Sequence, residues 1–174
     1  MKRFIFTAGI LLAMSCSVYS QDHIFVSQFP LGFQNENFVK IFGKQIQKKA
    51  FNQGVYRYYL GERQYYWGKT YVTADATKLK KYDNYVITSI SIKFYELDKY
   101  YACDVFKIII ESLSSMFGEP RVEGTLKPAY IWDTEDVLIR KEDNCIIFYA
   151  KEKYLESLQM EALRQSVESI FGSR

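Results

Sequence analysis

The chain has 174 residues, 23 basic and 20 acidic side chains, and a formal net charge of +3. That length suffices for one domain with its own core, and a charge so close to balance excludes a nucleic-acid binder built on a basic surface. Aromatic residues make up 17% of the chain, mainly 15 Tyr and 13 Phe, while only three Pro and nine Gly argue against long disordered linkers.

At the N-terminus, Lys2 and Arg3 precede an apolar run from Phe4 to Met14 that is too short to cross a bilayer. Val18-Tyr19-Ser20 then puts a small residue before Gln21. This is the pattern of a secretory signal peptide over residues 1–20, cleaved between Ser20 and Gln21, with a single domain over 21–174. The rival reading is a lipoprotein signal acylated at Cys16; Ser15 suits it, whereas Ala13 and Met14 fit less well. Either way the mature chain is expected in the periplasm or at the cell surface. Loss of residues 1–20 removes Lys2 and Arg3 and no acid, leaving 21 basic side chains against 20 acidic ones. No later segment is long and apolar enough for a transmembrane helix.

His23 to Val26 reads as a short edge strand, and Phe29 to Phe33 as a turn leading into a helix with Asn35 as N-cap. Phe38, Ile41, Phe42, Gln45, Ile46 and Ala50 give that helix one face, and Gly54 ends it. Lys40, Lys44 and Lys48 fall at i, i+4, i+8 on another face, either a stripe for anionic surfaces or, more simply, a solvated side. Three strands are expected next: Val55 to Leu60, a turn at Gly61-Glu62, Tyr65 to Thr73, a polar loop from Ala74 to Asn84, and Tyr85 to Tyr95. Strict alternation puts Tyr65, Trp67, Lys69, Tyr71 and Thr73 on one face of the second strand. In the third it puts Val86, Thr88, Ile90, Ile92 and Phe94 on one face, and Ile87, Ser89, Ser91, Lys93 and Tyr95 on the other.

The segment Asp104 to Pro120 predicts the central helix. Phe106, Ile109, Ile110, Leu113, Met116 and Phe117 form its apolar stripe, Gly118 closes it and Pro120 forbids continuation. Strands follow at Ala129 to Asp133, Val137 to Lys141 and Cys145 to Ala150, the last apolar on both faces and therefore placed mid-sheet. A final helix over 154–171 buries Leu155, Leu158, Ala162, Leu163, Val167, Ile170 and Phe171. The order helix, three strands, helix, three strands, helix predicts an α+β fold of two layers, an antiparallel sheet with helices packed on one face. It also suggests a degenerate α-β-β-β repeat with halves 33–95 and 101–150.

The helix end Phe117-Gly118-Glu119-Pro120, followed by a strand carrying Trp132, resembles repeats in small secreted envelope proteins of Gram-negative bacteria. The helix-plus-three-strand unit is similar to the β-lactamase-inhibitor-protein-like and SmpA/OmlA-like folds. The resemblance covers the second half well and the first half loosely, where Phe42-Gly43 lacks the proline. It implies a binding or assembly module without catalysis. It carries no functional residue across, because the matching positions are capping and core positions.

The residues themselves carry little chemistry. The sole histidine, His23, lies close to the mature N-terminus, so a histidine triad or a histidine-rich metal site is not expected. Asp133, Glu135 and Asp136, joined by Glu142 and Asp143, offer oxygens for calcium, but their spacing matches no calcium loop, and two solvated turns explain them. No glycine loop for phosphate is present, and no metal or other cofactor is expected. Cys103 and Cys145 pair in an exported chain, or are two free thiols packed as small apolar residues. The aromatic strands carry the functional expectation. Tyr58, Tyr65, Trp67 and Tyr71 anchor a protein partner or stack a glycan, or else pack only across strands. The expectation is a non-catalytic module binding an envelope protein; the alternatives are a carbohydrate-binding module and a small hydrolase with a carboxylate pair, which has no sequence signature.

Overall fold

The strand segments pair in register as the side chains require, and the computed structural model contains an antiparallel eight-stranded sheet with three helices. The structure describes residues 31–80 and 83–171. The expected signal peptide, Cys16, His23 and the strand expected at His23 to Val26 lie outside the described residues. In chain order the elements are α1 (Asn35–Phe42), a 3-10 turn (Gly43–Gln45), β1 (Lys48–Asn52), β2 (Val55–Tyr65), β3 (Gly68–Lys78), β4 (Tyr85–Tyr95), α2 (Ala102–Phe117), β5 (Arg121–Glu123), β6 (Ala129–Asp133), β7 (Val137–Glu142), β8 (Cys145–Ala150) and α3 (Glu152–Phe171). The sheet order is β1-β2-β3-β4-β8-β7-β6-β5. α1 and α2 are thus each followed by a four-stranded meander, and the two meanders meet where β4 pairs antiparallel with β8. Each meander has one strand more than the three expected. β8 is mid-sheet, as its two apolar faces require.

Register assigns the two faces of the sheet. Ile90, Ile92 and Phe94 of β4, with Ile146 and Phe148 of β8 and Ile139 of β7, look toward the helices. α2 presses Ile109 and Leu113 onto this face beside Trp132. α1 presses Phe38 and Phe42 onto Tyr58, Leu60, Ile87 and Ile90. α3 leaves the end of β8 and docks through Leu155, 2% exposed, against Leu79 and Val86. Gln159, itself buried, donates to the Gly32 carbonyl at 3.2 Å and accepts from Gln34 at 3.2 Å, which ties α3 to the segment entering α1.

The first helix is shorter than its periodicity suggests. It stops at Phe42, and residues 48–52 form an edge strand instead. Gln53 and Gly54 both have positive φ, 49° and 77°, and close a tight hairpin that pairs Asn52 with Val55. Such turns match the twist of paired strands, so the hairpin competes successfully with the helix for Lys48, Lys49 and Ala50. The lysine stripe accordingly does not exist: Lys40 is in α1, Lys44 in the 3-10 turn and Lys48 in β1.

Three further expectations are corrected. Gly61-Glu62 is not a turn but lies inside β2, where the register slips between Tyr59 and Gly61 and leaves Leu60 unpaired. β3 runs on through the expected loop to Lys78, because Ala74 and Ala76, both 0% exposed, are small enough to sit beneath the α1 core. In β4 the register slips again, from Ser89 to Ile87, with Thr88 as the extra residue. Each bulge inverts the alternation beyond it. Ile87 therefore joins Ile90 under α1, while Val86 faces Leu155.

α2 ends at Phe117, where Gly118 takes φ 84° and its N–H reaches the Ser114 carbonyl at 2.9 Å. Its stripe is narrower than expected, since Met116 is exposed. In α3, Leu163 is exposed rather than buried; the side chains of Ala162, Val167, Ile170 and Phe171 lie outside the described ones.

Among the described residues Lys141 is the one buried lysine, 7% exposed, and it lies on the helix side. Its ammonium stands 4.2 Å from the centre of the Phe106 ring and donates to the Asp143 carbonyl at 3.0 Å. Burial lowers its pKa from the ordinary 10.5. The folded chain thus releases this proton at lower pH than the unfolded chain does, and stability rises with pH between those two values. Lys141→Met should be at least as stable as wild type at pH 7, and wild type should gain on the variant as pH approaches 10.5. Urea melts at several pH values test this, and a parallel pH dependence in the two proteins would refute it.

Candidate functional site

The face of the sheet turned away from α1 and α2 is built from cross-strand rows. One row runs Tyr59, Thr73, Ser91, Ile147, Arg140 from β2 to β7. The next runs Arg57, Asp75, Ser89, Tyr149, Leu138, and a third Glu62, Tyr71, Lys93, Cys145, Glu142. The central residues, Thr73, Ser89 and Ser91, have short side chains. Thr73 is 7% and Ser89 9% exposed although α1 and α2 cover the opposite face; α3 meets this face at its Val86 end, through Leu155. Flanked by the longer side chains of Tyr71 and Tyr149 in the neighbouring rows, the short residues make a shallow trough with a hydroxyl floor.

The charges around the trough are mostly paired. Arg57 holds Asp75 through two hydrogen bonds of 2.7 and 2.6 Å, which raises the guanidinium pKa still further. Lys69 lies 2.6 Å from Glu96, and Arg140 lies 2.7 Å from Glu142. Lys93, exposed on β4, has no carboxylate within 4 Å among the described residues and stands 5.9 Å from the centre of the Tyr71 ring. Tyr71 and Tyr95 meet edge-to-face at 5.6 Å. The Tyr95 hydroxyl is shut away from water, and burial, then Glu62 and Glu96, push its pKa up to about 12. Burial also holds the Tyr149 hydroxyl and the Cys145 thiol above their ordinary values, so Cys145 is not an activated nucleophile.

The four aromatic residues expected to act together are divided by the fold. Tyr58 is 0% exposed beneath Phe38, with its hydroxyl bonded to the Asn35 side chain. Trp67 is not in a strand: it occupies the β2–β3 turn, folds back, and is 7% exposed. The bulge at Leu60 turns Tyr65 to the helix side, where it stacks on Trp67 at 4.7 Å and 4°. Only Tyr71 faces the trough, so Tyr65, Trp67 and Tyr71 make no common platform. Sequence alternation missed Tyr149, Lys93 and the Thr73–Ser89–Ser91 floor as a unit. Their signal was present in the polar residues of Tyr85 to Tyr95, but the partner strand β8 is about 50 residues away.

Cys103 and Cys145 are free. Cys103 is exposed at the start of α2, which covers one face, whereas Cys145 lies beside Ser91 and Lys93 on the other. The sheet separates them, so no bridge forms. The acidic turns are salt-bridged: Asp133 with Lys151 at 2.5 Å, Asp143 with Lys127 at 3.6 Å, and Glu135 with Lys153 at 4.0 Å. Among the described residues, no group of three or more His, Cys, Asp or Glu side chains is arranged to hold a metal, and no helix is long and apolar enough to cross a membrane. No protein-family model matches this chain, and neither does any curated protein or solved structure.

Proposed function

We propose that this chain is an exported, non-catalytic binding module whose sheet face turned away from α1 and α2 takes a segment of a protein partner. The observation that carries the reading is the trough: a short-chained hydroxyl floor flanked by Tyr71 and Tyr149, with Lys93 lacking a carboxylate among the described residues. Tyrosine supplies large contact area with few rotamers to freeze, and hydroxyls adapt to backbone groups of an incoming chain. A partner segment carrying an acidic side chain for Lys93 completes the site. The resemblance of the Phe117–Pro120 helix end and Trp132 strand to secreted binding modules supports the same reading. The basic residues Lys2 and Arg3, the apolar run to Met14 and the small residue at Ser20 support export.

The test uses residues 21–174 as bait on native envelope extract, with captured proteins read by mass spectrometry. One partner at near-stoichiometric yield should be retained by wild type and lost about tenfold or more by Tyr149→Ala and by Lys93→Glu. Tyr149 is 38% exposed and Lys93 exposed, so neither change should disturb the core. Equal capture by wild type and both variants, or no such partner, would remove the proposal.

A further inference from the structure

A second aromatic cluster lies far from the trough, at the open corner of the helix side where β1, β2 and β4 end. Phe51 pairs with Tyr56, and Tyr56 with Ala76. Ala76 carries only a methyl, which leaves room for Tyr85, from the far side of β3, to bring its ring to 4.8 Å from that of Tyr56. Phe51 lies 4.5 Å from Tyr56 and 6.4 Å from Tyr85, with the rings tilted at 43° and 73°. Tyr56 and Tyr85 back onto the α1 core, but Phe51 stands outside it and is 57% exposed. The rings therefore form two walls of a corner, not a flat stack.

Lys49 completes the corner. Its ammonium is 4.5 Å from the centre of the Tyr56 ring and 5.6 Å from that of Tyr58, and has no carboxylate within 4 Å among the described residues. The hairpin tip beside it carries the exposed amides of Asn52 and Gln53. Aromatic walls suit the C–H faces of a pyranose, amides suit its hydroxyls, and an ammonium with no carboxylate partner among the described residues suits a carboxylate on the ring. From these three features together we infer that the Phe51–Tyr56–Tyr85 corner binds an oligosaccharide containing uronic acid. This site is independent of the protein-binding trough, which lies on the opposite face.

The full chain from residue 21 should be titrated by calorimetry and NMR with trimers of galacturonate, glucuronate and mannuronate, and with their methyl esters. At least one acid trimer should bind saturably. Esterification, and separately Lys49→Gln, should each weaken it about tenfold, and Phe51→Ala should abolish it. Lys99→Gln, at an exposed lysine in neither site, should bind as wild type does. Phe51 and Lys49 are exposed, so the variants should melt as wild type does. No saturable binding by any acid trimer, equal binding of acid and ester, or retention by either corner variant would overturn the assignment.

Discussion

Trp132→Ala should lower the unfolding free energy by about 3–5 kcal/mol. For a chain of this size that is a melting temperature lower by roughly 10 °C. Trp132 is 1% exposed and sits in β6 where α2 meets the sheet, in one cluster with Ile109, Leu113, Ile139 and Phe148. Truncation leaves a cavity at the junction of the layers, and the strands on either side are held in register and cannot collapse into it. Trp132→Phe separates packing from polarity. The indole N–H is buried with no hydrogen-bond partner among the described residues, and an orphaned donor costs about 1–3 kcal/mol. Phenylalanine removes that donor while keeping most of the ring, so this variant should lie within about 1.5 kcal/mol of wild type. Chemical denaturation of the two variants tests the account. A Trp132→Phe loss as large as that of Trp132→Ala would show that the N–H has a partner, and a wild-type melt for Trp132→Ala would refute the packing argument itself.

Gly68→Ala is expected to cost about 1–3 kcal/mol from the backbone alone, because φ at Gly68 is 146°, a conformation alanine resists. A Cβ there would also stand 3.1 Å from the Glu96 carbonyl oxygen and from Leu97 Cα. Those atoms are backbone, and they are held: Asp98 N–H donates to the Trp67 carbonyl at 2.9 Å, which locks the β2–β3 turn against the connection from β4 to α2. The strain therefore falls on the turn that carries Trp67 into the core. Gly118→Ala is the control. Gly118 also has positive φ, 84°, but its Cβ would meet nothing within 4 Å. Its ψ of −174° is also a backbone that only glycine takes readily, so Gly118→Ala should cost the same backbone share of about 1–3 kcal/mol but add no collision. Gly68→Ala should thus melt clearly below Gly118→Ala and shift tryptophan emission to the red. Equal melts for the two would show that the Glu96–Leu97 segment moves aside.

The same neighbourhood shows where the sequence was legible. The α2 helix and its stop at Gly118 follow from side-chain period and from one residue that tolerates positive φ, both local properties. Strands β6 and β8 begin and end where turn chemistry and alternation put them, at Ala129–Asp133 and Cys145–Ala150. The α+β class follows, because alternating strands and amphipathic helices of these lengths must bury one side each. Even the β1 hairpin had a local signal in Asn52-Gln53-Gly54, overridden in the reading by the helical period of Phe38, Phe42 and Ile46.

Which face a residue occupies was not legible in the same way. Alternation fixes a face only while the register is unbroken, and the bulges at Leu60 and Thr88 depend on how β2, β3 and β4 meet one another. That is why Tyr65 stacks on Trp67 inside the protein while Tyr71 faces outward, and why Ile87 and Val86 serve different cores. The trough needs β4 beside β8, and the Phe51–Tyr56–Tyr85 corner needs a small residue, Ala76, on the strand between. The amino-acid sequence alone determined the class of fold, the main helix and three of the four strands of the second meander, because periodicity and turn conformation act over a few residues. Only the tertiary structure decided which side chains share a surface, because pairing register joins residues far apart in the chain and a single unpaired residue reverses every side chain beyond it.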